Sequence, residues 1–209
     1  MNFKILAAGL GIALTSFAIN ANAQKNITQG YATFPTTVRG TMPATGTIYF
    51  TADSASTIVN FGAGTFKMLT NAKHDYLAIV LDIPVAGKHK AGIATAAEIE
   101  QMQANVPTFT FTPTTETKVI SGFNCKKVVA KGDNGKSYDV WITNDITVPA
   151  TAYPVYYAGI GGYPVQFTSF QQGQEIIITI TSVTEGPAPA GTFAIAKDIP
   201  SGPLSDLAN

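Results

Sequence analysis

The chain has 209 residues with 13 basic and 13 acidic side chains, so its formal charge at neutral pH is zero. That balance gives no basic footprint for nucleic acid or for an anionic membrane surface. Charged residues make up 12% of the chain, against roughly 25% in ordinary soluble domains, so Thr, Ser, Asn and Gln must carry much of the polar surface.

Met1-Asn2-Phe3-Lys4 bears one positive charge, Ile5–Ile19 is an uncharged, mostly apolar run, and Ala21-Asn22-Ala23 has the small-x-small form of a cleavage site. These are the three parts of a secretory signal peptide. The apolar run is shorter than the roughly 20 residues that span a bilayer. Cleavage after Ala23 predicts a periplasmic or secreted mature chain from Gln24, without a transmembrane segment. Residues 24–46 read as an N-terminal extension.

Runs of β-formers then recur at Thr47–Thr51, Ser56–Phe61, Thr65–Thr70 and Tyr76–Asp82, with Gly62-Ala63-Gly64 and Asn71-Ala72-Lys73 as turns. They predict a four-stranded meander. His74 reads as a surface turn residue and Lys88-His89-Lys90 as a solvated basic loop. The two histidines have no carboxylate at ligand spacing, so no metal site is expected. Thr95-Ala-Ala-Glu98 has the form of a capping box. Ile99, Met102 and Val106 follow at helical spacing until Pro107, predicting one short amphipathic helix near 95–106 that covers a sheet face.

Thr108–Thr112 alternates strictly and Pro113 is expected to end that strand. Residues 117–143 read as a hairpin turning at Asn134-Gly135 as a two-residue type I′ loop. That register pairs Val129 with Val140 and Val128 with Trp141. Cys125, Val129, Tyr138, Val140 and Ile142 then share one face, while Val128, Ala130 and Trp141 share the other. Both faces are partly apolar, so a helix or ligand should cover the second. Cys125, the one cysteine in the sequence, has no intrachain partner and reads as a buried packing residue. Past the link Val148–Tyr157, strands are expected at Val165–Gln171 and Glu175–Val183. A Pro-Ala break at 187–190 precedes a short strand at Thr192–Ile199, and residues 201–209 read as a tail.

Ile120-Ser-Gly-Phe-Asn-Cys-Lys-Lys127, Tyr138-Asp-Val-Trp-Ile-Thr143 with Asp145-Ile146, and Gly162-Tyr163-Pro164-Val165-Gln166-Phe167 together resemble the GLPGLI-type exported bacterial proteins. They also resemble the related domain of unknown function 4412, which is the nearer of the two because the full GLPGLI string is missing. The resemblance implies a mainly β, α+β fold similar to the lipoprotein carrier LolA: a curved antiparallel sheet forming an open half-barrel over residues 47–200. It implies no catalytic residues.

Two functions follow as expectations. One is an exported, non-catalytic envelope protein that binds or carries a lipid or other hydrophobic small molecule, with Val128, Trp141, Tyr163 and Phe167 as candidate ligand-binding residues. The other is a structural or protein-interaction module of the envelope, using Tyr153, Tyr156, Tyr157 and Tyr163 toward a partner. No nucleophile elbow occurs and no cofactor is expected. Catalysis would have to draw on carboxylates such as Asp82, Asp133, Asp139 and Asp145.

Overall fold

The computed structural model describes residues 24–38, 42–171 and 173–208; the signal-peptide segment lies outside them. The chain opens with β1 (Lys25–Asn26) and β2 (Gly30–Val38), followed by β3 (Met42–Phe50), β4 (Ser54–Phe61), β5 (Gly64–Asn71) and β6 (Leu77–Ile83). From β2 to β6 each strand pairs antiparallel with the next, so the expected meander is present. It begins earlier than the sequence suggested. Residues 24–46, expected as an extension, hold β2 and half of β3, whose Thr-rich polar stretches hid the alternation of Ala32 and Phe34.

Lys88-His89-Lys90, expected as a loop, opens β7 (Lys88–Ile93), which pairs with β6. The helix α1 (Ala96–Ala104) starts on the predicted capping box: Thr95 Oγ1 accepts from the Glu98 N–H while the Glu98 carboxylate accepts from the Thr95 N–H. Ile99 is its one buried side chain and lies outside the principal core.

β8 (Phe109–Ile120) runs straight through Pro113. It tolerates proline because it is an edge strand, where the missing N–H has no ladder partner to serve, and its register shifts between Pro113 and Thr117. Ser121 and Gly122, with φ of 52° and 84°, turn the chain into β9 (Phe123–Gly132). Two consecutive positive φ angles in a two-residue loop are the type I′ signature. That turn belongs here and not at Asn134-Gly135.

Between β9 and β10 (Ser137–Thr143), Gly135 alone has positive φ, at 80°, and the Gly132 N–H donates to the Lys136 carbonyl. The loop is therefore three residues long, and Val128 faces Val140 while Trp141 faces Lys127. The expected register is off by one residue. Such a slip exchanges the faces of one strand relative to the other: Val128 and Ala130 join Tyr138, Val140 and Ile142 inside, and Val129 moves out beside Trp141.

β11 (Ile146–Thr147) pairs with β1, and β12 (Tyr163–Gln171) lies between β10 and β13 (Gln174–Thr179). The expected strand 175–183 divides at Ile180-Thr181. There the Ile180 N–H donates to Val165 and the Thr181 N–H to Thr33, so β14 (Ser182–Glu185) pairs with β2 in the other sheet. Strands that switch sheets in this way make the corners of bent β-structures. A five-stranded sheet, β13-β12-β10-β9-β8, thereby continues into an eight-stranded one, β14-β2-β3-β4-β5-β6-β7 with β15 (Ser201–Pro203) at its far edge. Among the described residues the fold is mainly β with one α-helix, its sheets curved and not closed into a barrel.

The core fills the bend. Ala32, Phe34 and Phe50 meet Val140, Ile142, Val165, Phe167, Ile178 and Ile180 there in one cluster. Residues 192–199, expected as a strand, form turns that lead as a strap to β15. Residues 201–208 are held to the sheet edge, where Leu204 and Leu207 pack against Gly92.

Candidate functional site

Of the four candidate residues, Val128, Tyr163 and Phe167 are buried in the core at 2–3% exposure. Trp141 is half-buried on the opposite face of the hairpin. The first three belong to one core cluster, and Trp141 packs against its margin without lining a shared cavity with them. The one-residue register shift separates Val128 from Trp141. Over the indole lies the Lys118 ammonium, 4.0 Å from the ring centroid. Lys118 also donates to Gln166, and nearby Lys127 pairs with Glu116 and Asp139. Hydrogen bonding to Glu116 holds the Lys127 pKa above its usual value. This outer face is a charged sheet surface.

The tyrosine surface is also internal. Tyr157 is fully buried, stacked on Phe109 at 5.7 Å and edge-on to Phe167 and Tyr156. Its hydroxyl donates to the Thr168 carbonyl at 2.7 Å. Phe111, Tyr138 and Phe170 complete the cluster with Phe109, so rings occupy the interior of the five-stranded sheet. Tyr163 packs against Tyr153, and its buried hydroxyl has no hydrogen-bond partner. Burial pushes the phenols of Tyr157 and Tyr163 well above the ordinary tyrosine range.

Cys125 is buried, cross-strand to Thr143, and its thiol pKa is raised by desolvation. Ellman's reagent is therefore expected to label native protein at least ~100-fold more slowly than denatured protein. Stopped-flow absorbance with and without urea measures the ratio.

The carboxylates serve separate partners: Asp82 holds His89, Asp133 the Thr108 N–H, Asp139 Lys127, and Asp145 the Asn124 N–H. Among the described residues no group of three or more His, Cys, Asp or Glu could hold a metal ion.

Two surfaces escaped the sequence reading. The first continues the core along the inner face of the eight-stranded sheet. Cross-strand pairing places Val59 opposite Phe66, Phe66 opposite Leu81, and Met68 opposite Ile79, on the face that carries Phe34 and Phe50. Phe61 and Ile83 flank Gly64 on that face. These side chains are half-buried and stand outside the principal core. Their alternation is visible in the sequence, which predicts these strands as a meander without assigning their faces.

The second is a groove of about 380 Å³ on the other face of the same sheet. Its floor includes Ile58, Lys67 and Val80, and its roof is the strap at Ala194, Ala196 and Ile199. Lys67 donates to the carbonyls of Gly191 and Ala194, both at 2.9 Å. His89 contacts Asp82 at 3.2 Å and Asp198 of the strap at 3.9 Å. The hydrogen bond with Asp82 is the main cause of the raised His89 pKa. No sequence signal pointed here, because strap and floor are over 100 residues apart.

Fold and surfaces define a mainly β protein with an open, bent sheet. No helix among them is long and apolar enough to cross a membrane. No family model and no curated protein matches the chain. Among solved structures it is similar to PNGF-II, with TM-score 0.47 and 16% identity over 86% of this chain and 32% of that one. It is similar to MucB in complex with MucA(peri), with TM-score 0.42 and 12% identity over 81% of this chain and 54% of that one. A structure of MucB gives TM-score 0.41 and 11% identity, covering 85% and 60% of the two chains. The chain thus spans less than two thirds of each.

Proposed function

We propose that this chain is an exported, non-catalytic interaction module of the cell envelope, which engages a protein partner through the half-buried apolar inner face of β4–β6, beside the edge that Leu204 and Leu207 cover. The observation that carries this reading is the row of half-buried apolar side chains Val59, Phe61, Phe66, Met68, Ile79 and Leu81. A contiguous apolar face of that kind on a folded protein marks a contact surface. The core interior is filled by aromatic rings, which argues for a partner laid on the face over an acyl chain threaded into the fold. Export rests on the residues at 1–23, and the resemblance to GLPGLI-type proteins belongs to the same reading.

A second reading, a hydrophobic ligand held on the same face, is favoured by the face's continuity with the core. Photo-crosslinking amino acids at positions 66 and 79, with 118 and 177 as controls on outer surfaces, separate the two. The proposal expects one discrete protein adduct in the native host at 66 and 79, lost on adding Met68→Asp. A phospholipid or fatty-acid adduct with no protein band would favour the ligand reading. Equal labelling at all four positions would overturn both.

A further inference from the structure

The strap-roofed groove lies on the opposite side of the sheet from that face, and its chemistry is independent of it. We propose that the groove binds a small molecule with a carboxylate head and an aliphatic body. Its volume, about 380 Å³, falls in the range of small-ligand pockets. Its polar groups are mostly donors. Lys67 uses two N–H groups on strap carbonyls, leaving a third, and among the described residues forms no ion pair with a carboxylate. Thr65 donates to the Asn60 carbonyl oxygen, which turns the Asn60 amide nitrogen into a free donor at the groove wall. Tyr49 adds a hydroxyl.

Asp82 is the one carboxylate among the lining residues, and His89 already occupies it. Ile58 and Val80 below and Ile199 above supply the apolar walls. Burial without a counter-ion lowers the Lys67 pKa, and an arriving carboxylate would relieve that cost. Charge-assisted hydrogen bonds of this kind contribute roughly 10- to 100-fold in affinity. The strap turns at Gly191 with φ of 78° and roofs the groove.

The test is titration of isotope-labelled protein with octanoate, octanol and N-acetyl-Leu-Ala bearing a free C-terminus. Saturable amide shifts confined to β3–β6 and 191–199 are expected with octanoate, at least ~10-fold weaker with octanol. Binding of the dipeptide with equal or greater affinity would assign the head group to a peptide end, within the same chemistry. Lys67→Met should weaken octanoate at least ~10-fold. Because that change also frees the strap, Val80→Phe provides a second variant that fills the floor and leaves Lys67 in place. It should abolish octanoate shifts while the strap amides of Thr192 and Ala194 keep their exchange protection. Octanol binding as tightly as octanoate, or octanoate shifts that survive both variants, would overturn the proposal.

Discussion

Tyr157→Ala is expected to destabilise the protein by about 3–5 kcal/mol, the range for emptying a fully buried aromatic site. The ring has no exposed atom to lose gently: it is stacked on Phe109 and meets Phe111, Tyr156 and Phe167. Most of these neighbours sit on strands or in the Val155–Tyr157 turn, so collapse into the void would require the sheet to move. Urea unfolding should show a large fall in midpoint with little change in slope. Tyr157→Phe keeps the packing and removes the hydroxyl that donates to Thr168; its cost should be about 1–2 kcal/mol, mostly from the orphaned carbonyl. The same burial sets an alkaline limit. Phenols whose folded pKa stands above the unfolded value of about 10 contribute fully below that pH, and stability falls as pH rises beyond it. Tyr163→Phe, which removes a buried hydroxyl with no partner, should flatten that alkaline loss and cost little at neutral pH.

The aromatic cluster also shows where the sequence is informative. The strict alternation of Thr108–Thr112 places Phe109 and Phe111 on one face, and the structure keeps them there. The tyrosines at 156 and 157 carry no period, because they sit in a short 3₁₀ turn between strands. Such a segment reads as surface loop until the strands it plugs are known. The hairpin of β9 and β10 failed for a narrower reason. Asp133-Asn134-Gly135 is compatible with a two-residue loop having two positive φ angles and with a three-residue loop having one. These differ by one residue in register, and hence in which side of the sheet receives Val128. Ser121-Gly122 carried the two-residue turn instead, with a serine in a conformation that glycine or asparagine usually takes.

Long-range pairing was the other blind spot. Pro113 ends a central strand but not an edge one, and edge status depends on what lies beyond β8. The strap at 192–199 reads as a short strand but forms turns, since its place is set by Lys67 and His89 from strands over 100 residues earlier. The groove could not be seen without that docking. By contrast the capping box at Thr95, a contact three residues long, was legible outright.

Gly46→Ala should cost about 1–3 kcal/mol, although alanine is ordinarily tolerated in a strand. Gly46 is buried directly opposite Phe34, and a Cβ added there would lie 2.1 Å from the ring's Cζ. Phe34 cannot swing aside freely, being 5% exposed in the principal core. Overpacking of that kind forces off-rotamer side chains or a backbone shift. The arrangement compensates for the weakness of glycine within a strand by laying an aromatic ring over its bare backbone. Phe34→Leu alone should also destabilise, by about 1–2 kcal/mol through lost volume. The double variant carries the decisive information. Leucine leaves room for the alanine methyl, so the pair should cost less than the sum of the singles by about 1–2 kcal/mol, within the usual range for residues in contact. Additive costs would mean that Phe34 and Gly46 act separately and that the β2–β3 register does not hold the ring in place. That register puts Phe34, Phe50 and Val59 on one face, so the same cycle tests whether the half-buried apolar face of β4–β6 points as described.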